Sequence, residues 1–169
     1  MSTKKDKFSL KEKKFMRVAI NLAKARKGLT GENPSVGCVL VKNDRIVSIG
    51  QTGYGGRPHA ETNAINSSFE NLNGAKMYVT LEPCNHYGKT PPCTNSIIKS
   101  GIKEVFYSIN DIDKKVRGKS FKILNKQNIK VNVGILKDEA KKLYESYIIN
   151  RKYNLPYVTA KIATSKNNL

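Results

Sequence analysis

Between Glu82 and Thr94 the chain reads Glu-Pro-Cys-Asn-His-Tyr-Gly-Lys-Thr-Pro-Pro-Cys-Thr. Proline fixes φ and removes a backbone donor, so three of them in thirteen residues rule out a helix or a ladder through this stretch. It is a loop. The residues before it, Met77 to Leu81 (Met-Tyr-Val-Thr-Leu), predict a short apolar strand, and those after its last proline, Cys93 to Ser100, predict a helix closed by Gly101. Strand, loop and helix in that order are a unit of an α/β sheet. Cys84 and Cys93 each follow a proline with eight residues between them, and together with His59 upstream they form a candidate set of metal ligands.

The remaining segments continue the alternation. Ser9 and Glu12 have the spacing of a capping box, and Phe15, Val18, Ala19, Leu22 and Ala23 recur at helical spacing over residues 11–27. Val36 to Val41 predicts a buried strand. Asn43-Asp44 makes a turn, and Arg45 to Ile49 completes a hairpin. Residues 51–58 form a glycine-rich loop without the pattern of a phosphate-binding loop. A helix over His59 to Phe69, a strand over Glu104 to Ile109, a polar loop over 110–118 and a helix over Lys119 to Lys126 follow. Then come a strand over Ile129 to Val133 and a helix over Lys137 to Arg151. This order predicts a three-layer α/β/α fold with a mixed central sheet of about five strands, covered on both faces. Residues 1–10 read as a basic tail, 11–150 as one domain, and 151–169 as a linker with one more strand at Tyr157 to Ala163.

Composition narrows the class. The chain of 169 residues suits one domain with a real core, and 38% hydrophobic content is compatible with a globular protein. No apolar run approaches the ~18 residues of a membrane span, so no membrane partner is expected. The charged start lacks the apolar segment of a secretory signal. An odd count of three cysteines fits a reducing, cytoplasmic setting better than a disulfide framework. The formal charge of +18 fits either a nucleic-acid surface or a lysine-rich solvated surface. The basic residues are spread along the chain with few aromatics among them, which favours the second, with no specific nucleic-acid partner. A positive field also attracts a small phosphorylated substrate.

Zinc takes imidazole nitrogen and thiolate sulfur in a tetrahedral shell, and a catalytic site keeps one of the four positions for water. His59, Cys84 and Cys93 are three ligands, and a fourth is hard to find. Cys38 lies inside a strand and reads as core, and His86 is only two residues beyond Cys84. His59 and Cys93 begin predicted helices, whose N-terminal partial charge favours thiolate over thiol. Glu61, two positions after His59, faces the same centre as a proton carrier without being a ligand. This is the composition of a deaminase centre, in which an exocyclic amine leaves as ammonia and a carbonyl remains.

The run Glu-Pro-Cys-x-His-x-Gly-Lys-Thr-Pro-Pro-Cys, with Asn33-Pro34, His59-Ala60-Glu61 and Asp111, resembles the deaminase domain of the bifunctional riboflavin-biosynthesis deaminase/reductase. The likeness extends from about Phe15 to Ala163. It implies a cytidine-deaminase-like fold and, as substrate, the small phosphorylated pyrimidine 2,5-diamino-6-ribosylamino-4(3H)-pyrimidinone 5′-phosphate. It implies Zn²⁺ on His59, Cys84 and Cys93, with Glu61 as proton shuttle and Asn33, His86, Lys89 and Asp111 lining the substrate pocket. NADPH would follow only if a reductase domain lay beyond residue 169. Three positions depart from the family. Asp113 stands where Asn is usual and would repel a phosphate. Thr52 stands where a histidine is often found. The segment after Tyr157 to Ala163 lacks the family's usual Ser-x-Asp-Gly continuation, so no reductase activity is expected of this chain.

Two other readings share the same residues: a nucleic-acid base deaminase, and a non-catalytic zinc-binding module with a closed four-ligand shell. Self-association, as a homo-oligomer, would cover the last strand.

Overall fold

The computed structural model describes residues 6–166. Residues 1–5 of the expected basic tail and 167–169 of the expected linker lie outside the described residues. The elements are α1 (Leu10–Ala25), β1 (Gly37–Lys42), β2 (Arg45–Gln51), α2 (Ala60–Asn66), β3 (Lys76–Leu81) and α3 (Cys93–Lys99). They continue with β4 (Glu104–Ile109), α4 (Lys119–Lys126), β5 (Lys130–Val133), α5 (Lys137–Leu143) and α6 (Glu145–Tyr153). The five strands form one sheet in the order β2-β1-β3-β4-β5. β1 runs antiparallel to β2 and β3, and β4 runs parallel to both β3 and β5. The mixed, two-faced sheet is the expected fold. No helix among the described residues is long and apolar enough to cross a membrane.

The register explains where a site can form. Gly37 at the start of β1 pairs with Gln51 at the end of β2, and Leu81 at the end of β3 pairs with Ile109 at the end of β4. The loops before β1 and after β2, β3 and β4 therefore all emerge at one edge of the sheet. Side chains alternate across the strands, so β3 sends Met77, Val79 and Leu81 towards the α2–α3–α4 face and Tyr78 towards α1. Tyr78 stacks on Phe106 with ring centroids 4.5 Å apart, and Phe15 of α1 lies 5.3 Å from Tyr78. The Ser9–Glu12 capping box starts α1 as the sequence predicts. Phe8 also packs against this cluster, so the end of the expected tail belongs to the core.

On the other face, α2 lies unusually close to β2. A Cβ at Gly50 would sit 2.2 Å from the Ala60 carbonyl oxygen, so only glycine admits the helix at this distance. The Ser48 hydroxyl donates to the Ala64 carbonyl (2.6 Å) and the Asn63 amide to the Gln51 carbonyl (2.8 Å). These ties fix the start of α2, and with it His59 and Glu61, against the sheet edge.

Three expected elements differ. The helix expected over 59–69 ends at Asn66, and Phe69, read as part of its apolar face, is fully exposed. Leu72 is the side chain that returns to the core as the chain turns into β3. The helix expected over 137–151 is two helices meeting at Tyr144, whose hydroxyl is buried 2.5 Å from Thr80 Oγ1. Burying that hydroxyl against a partner on the sheet outweighs one more helical hydrogen bond. The strand expected at Tyr157 to Ala163 forms no ladder: these residues are exposed, and an isolated segment has no neighbour for its backbone groups.

Candidate metal centre and active site

His59 is the N-cap of α2 and Cys93 the first residue of α3, while Cys84 lies in the loop leaving β3. The three elements bring His59 Nδ1 to 3.3 Å from Cys93 Sγ and 3.6 Å from Cys84 Sγ. The three donor atoms all lie within 4.8 Å of one another. A tetrahedral zinc with ordinary Zn–N and Zn–S bonds has donor-to-donor edges of about 3.5–3.8 Å, so the donor set and its spacing fit Zn²⁺. The Cys93 backbone N–H donates to Cys84 Sγ (3.2 Å), one of the charge-stabilising contacts a thiolate ligand needs. Cys38 is wholly buried in β1, as expected of a core thiol, and burial pushes it up.

The centre is primed for a cation. The hydrogen bond from Cys93 brings the Cys84 thiol down to about 4, against burial and with further help from His59. The same bond, followed by burial, pushes Cys93 well up. His59 is raised by its bond to Cys84, with burial opposing. The two sulfurs thus share a proton that a dication would displace. Glu61 is 4% exposed at the start of α2. Burial first, and then the Cys84 charge, raise its carboxyl to about 7, with His59 opposing. A carboxyl poised there both accepts and gives a proton near neutral pH.

His59, Cys84 and Glu61 open onto a cavity of about 220 Å³ at the sheet edge, with Cys93 behind them. Asn33, His86 and Asp111 line it; Lys89 does not, and is exposed in the cysteine loop between two residues that do, Gly88 and Thr90. The Asn33 amide donates to the Gly56 carbonyl (3.3 Å), and a Cβ at Gly56 would lie 2.2 Å from that amide nitrogen. Asp111 accepts from the Tyr147 hydroxyl (3.0 Å) and from the Asp113 backbone N–H (3.0 Å). Burial raises its carboxyl against both bonds. Asp113 and Thr52 also line the cavity. The Thr52 hydroxyl is taken up by backbone, accepting from the Val36 N–H at 2.9 Å, so it clips β2 to β1.

Sequence reasoning gave no site role to Glu82, Arg57, Tyr147 or Arg151, all of which line the cavity. Glu82 stands in the opening stretch without a role there. Its buried carboxylate accepts from the Asp111 N–H (3.2 Å), Gly118 N–H (3.0 Å), Ser120 N–H (3.2 Å) and Ser120 hydroxyl (2.9 Å). It therefore binds the loop after β4, the wall carrying Asp111 and Asp113, to the strand that leads to Cys84. Arg57 sits in the glycine-rich loop, two residues before His59. Tyr147 and Arg151, four apart on α6, supply the remaining wall; their i, i+4 spacing was the available signal.

A His-Cys-Cys centre with a buried acid, on a mixed sheet of this order, defines the zinc-dependent deaminase class. The family model for the cytidine and deoxycytidylate deaminase zinc-binding region matches residues 9–109. The riboflavin biosynthesis protein RibD of Aquifex aeolicus is 44% identical over 152 residues, which are 90% of this chain and 43% of that protein. The diaminohydroxyphosphoribosylamino-pyrimidine deaminase of Buchnera aphidicola from Schizaphis graminum is 43% identical over 147 residues, 87% of this chain and 100% of that protein. Among solved structures, the deaminase/reductase of Thermotoga maritima superposes with a TM-score of 0.80 at 44% identity, covering 87% of this chain and 43% of that one. The chain belongs to the diaminohydroxyphosphoribosylaminopyrimidine deaminases of the cytidine and deoxycytidylate deaminase family. It spans less than half the length of the RibD relatives and the full length of the Buchnera protein.

Proposed function

We propose that the chain carries out the hydrolytic deamination of 2,5-diamino-6-ribosylamino-4(3H)-pyrimidinone 5′-phosphate. The products are 5-amino-6-ribosylamino-2,4(1H,3H)-pyrimidinedione 5′-phosphate and ammonia, in an early step of riboflavin biosynthesis. The observation that carries the reading is the cluster of His59, Cys84 and Cys93, of which His59 and Cys84 line one cavity together with the buried carboxyl of Glu61. Zinc, held by those three ligands, would supply the Lewis acidity that makes water a nucleophile near neutral pH. Glu61 takes one proton of the attacking water and delivers it to the ring nitrogen as the hydroxyl oxygen adds to C2. It then takes the remaining proton from that hydroxyl and gives it to the amine, the C2–N bond breaks, ammonia departs and C2 is left as a carbonyl.

Asn33 and Asp111 offer an amide and a carboxyl to the polar edges of the ring, and His86 lines the outer part of the cavity. Residues 11–150 form the deaminase unit in this reading. Helix α6 runs on to Tyr153, and residues 155–164 beyond it are exposed and join no strand. The setting is cytoplasmic. The test is ammonia release from the diaminopyrimidine phosphate by the purified, zinc-loaded chain, with metal content measured alongside. Glu61→Gln should lower kcat by about 10²- to 10⁴-fold with zinc retained. A folded, zinc-loaded wild type that releases no ammonia refutes the assignment.

A further inference from the structure

We propose that Arg57 is the residue that reads the phosphate monoester of the substrate, an inference resting on the pyrimidine-phosphate reading above. Arg57 belongs to the glycine-rich loop between β2 and α2, is half-buried, and lines the cavity. Its Nη1 donates to Thr90 Oγ1 (2.6 Å) and lies 3.4 Å from His59 Nε2. Its Nη2 lies beside Gly88, where a Cβ would be 3.8 Å away. The guanidinium thus spans from the metal-ligand histidine to the outer, exposed part of the cysteine loop.

Two features make this fork short of an acceptor. Among the described residues no carboxylate forms an ion pair with it, whereas the exposed Arg17 and Arg45 pair with Glu139 and Glu70. The contact with His59 is no substitute. With Nδ1 committed to a metal, Nε2 carries the ring proton, and two donors then face each other. Thr90 satisfies one N–H of five. A phosphate monoester presents several anionic acceptors in the planar geometry that a guanidinium matches.

The rest of the cavity fits an anion at this end. Asp111 and Asp113 stand in the loop after β4, which Tyr147 joins to α6, and they repel phosphate from that side. The other guanidinium, that of Arg151, shares that acidic side, donates to the Glu32 carbonyl (3.3 Å) and sits 5.8 Å from the centre of the Tyr147 ring. Lys89 lies outside the lining, and the Thr52 hydroxyl is taken by backbone. Arg57 is therefore the cation that lines the cavity outside the side held by Asp111 and Asp113.

The test uses the zinc-loaded wild type, Arg57→Gln and Arg57→Lys, each checked for metal content and cooperative unfolding. The diaminopyrimidine ribosylamine is offered with and without its 5′-phosphate. Separately, ribose 5-phosphate and inorganic phosphate are titrated by calorimetry, with no turnover involved. Arg57→Gln should raise KM for the phosphorylated substrate roughly ten- to a hundredfold, the range for a charge-assisted hydrogen bond. The loss in kcat/KM should be at least tenfold larger for the phosphorylated substrate than for the unphosphorylated compound. Affinity for ribose 5-phosphate should fall by a similar factor. Arg57→Lys keeps the charge without the fork and should fall between.

Equal losses on both substrates would overturn the proposal. So would unchanged ribose 5-phosphate affinity in Arg57→Gln, or inorganic phosphate binding as tightly as the monoester. If Arg57→Gln does not fold, an unchanged KM in Arg57→Lys overturns it. A wild type that binds ribose 5-phosphate through Arg57 yet deaminates neither compound refutes the assigned reaction and supports the phosphate site, so the two failures are told apart.

Discussion

Replacing Glu82 by glutamine changes one atom of a buried hub, and its effect can be worked out donor by donor. Oε2 accepts the backbone N–H groups of Asp111 and Gly118, and Oε1 those of the Ser120 backbone and hydroxyl. The new NH₂ must occupy one of these places. At Oε2 it would face two backbone donors that cannot turn away. At Oε1 it meets the Ser120 hydroxyl, which can accept from it while donating to the Pro83 carbonyl at 2.6 Å. Only the Ser120 N–H then loses its acceptor, at about 1–3 kcal/mol. The two bonds left on the carbonyl drop from charged to neutral strength, about 1 kcal/mol each. Relief from burying a charge offsets part of this. The sum is about 2–4 kcal/mol, or a fall in Tm of roughly 5–12 °C for a chain of this size. Glu82→Ala leaves the three backbone N–H groups without acceptor, the Ser120 hydroxyl keeping the Pro83 carbonyl, and should cost about 4–5 kcal/mol. Urea unfolding followed by far-UV dichroism measures the difference, and amide exchange locates it at Asp111, Gly118 and Ser120. A change under about 0.5 kcal/mol with exchange at those amides unaltered would refute the hub.

Other outcomes follow from the same geometry. Cys93→Ser should reduce bound zinc from about one equivalent to well under half, read by atomic absorption after dialysis. Gly50→Ala would drive a Cβ into the Ala60 carbonyl, so it should destabilise by about 1–3 kcal/mol or more in urea and displace Glu61, with kcat falling as well. Burial pushes Glu104 up, but hydrogen bonds from Lys130 and Asn132 and the Lys130 and Lys76 charges outweigh it and hold its carboxyl below the usual range. Its folded value therefore lies below its unfolded one, so its contribution is present above the unfolded value and is lost as pH falls through the folded value. The stability difference between wild type and Glu104→Gln should be present at pH 7 and shrink below about pH 4.

The sheet was legible because its strands carry their signal locally. Residues 36–41, 77–81 and 104–109 are apolar runs bounded by turns, and the structure places them within a residue of those limits. The break at Tyr144 was not legible. No glycine or proline marks it, and its cause is Thr80, sixty-four residues away. The ligand set was legible because chemistry restricts its residue types and spacing. Glu82 and Arg57 were not, since neither residue type is unusual in a loop. What gives Glu82 its role is a set of donors at 111, 118 and 120, and what gives Arg57 its role is a threonine on the far side of the cysteine loop. Phe69 misled for the converse reason: a helical pattern continues past the point where the chain must turn back to the sheet.

The Glu82 hub also sets how changes spread through the enzyme. The wall from Asp111 to Ser120 hangs on a residue two positions from Cys84, so alterations there are transmitted to a metal ligand. Among the described residues no carboxylate tethers the stretch from His86 to Thr90 in this way, and Arg57 is the side chain that reaches across to it. Substitutions at residues 86–90 therefore act first on Arg57 and the outer wall of the cavity, whereas the opposite bank is mechanically geared through Glu82 to the strand that leads to Cys84.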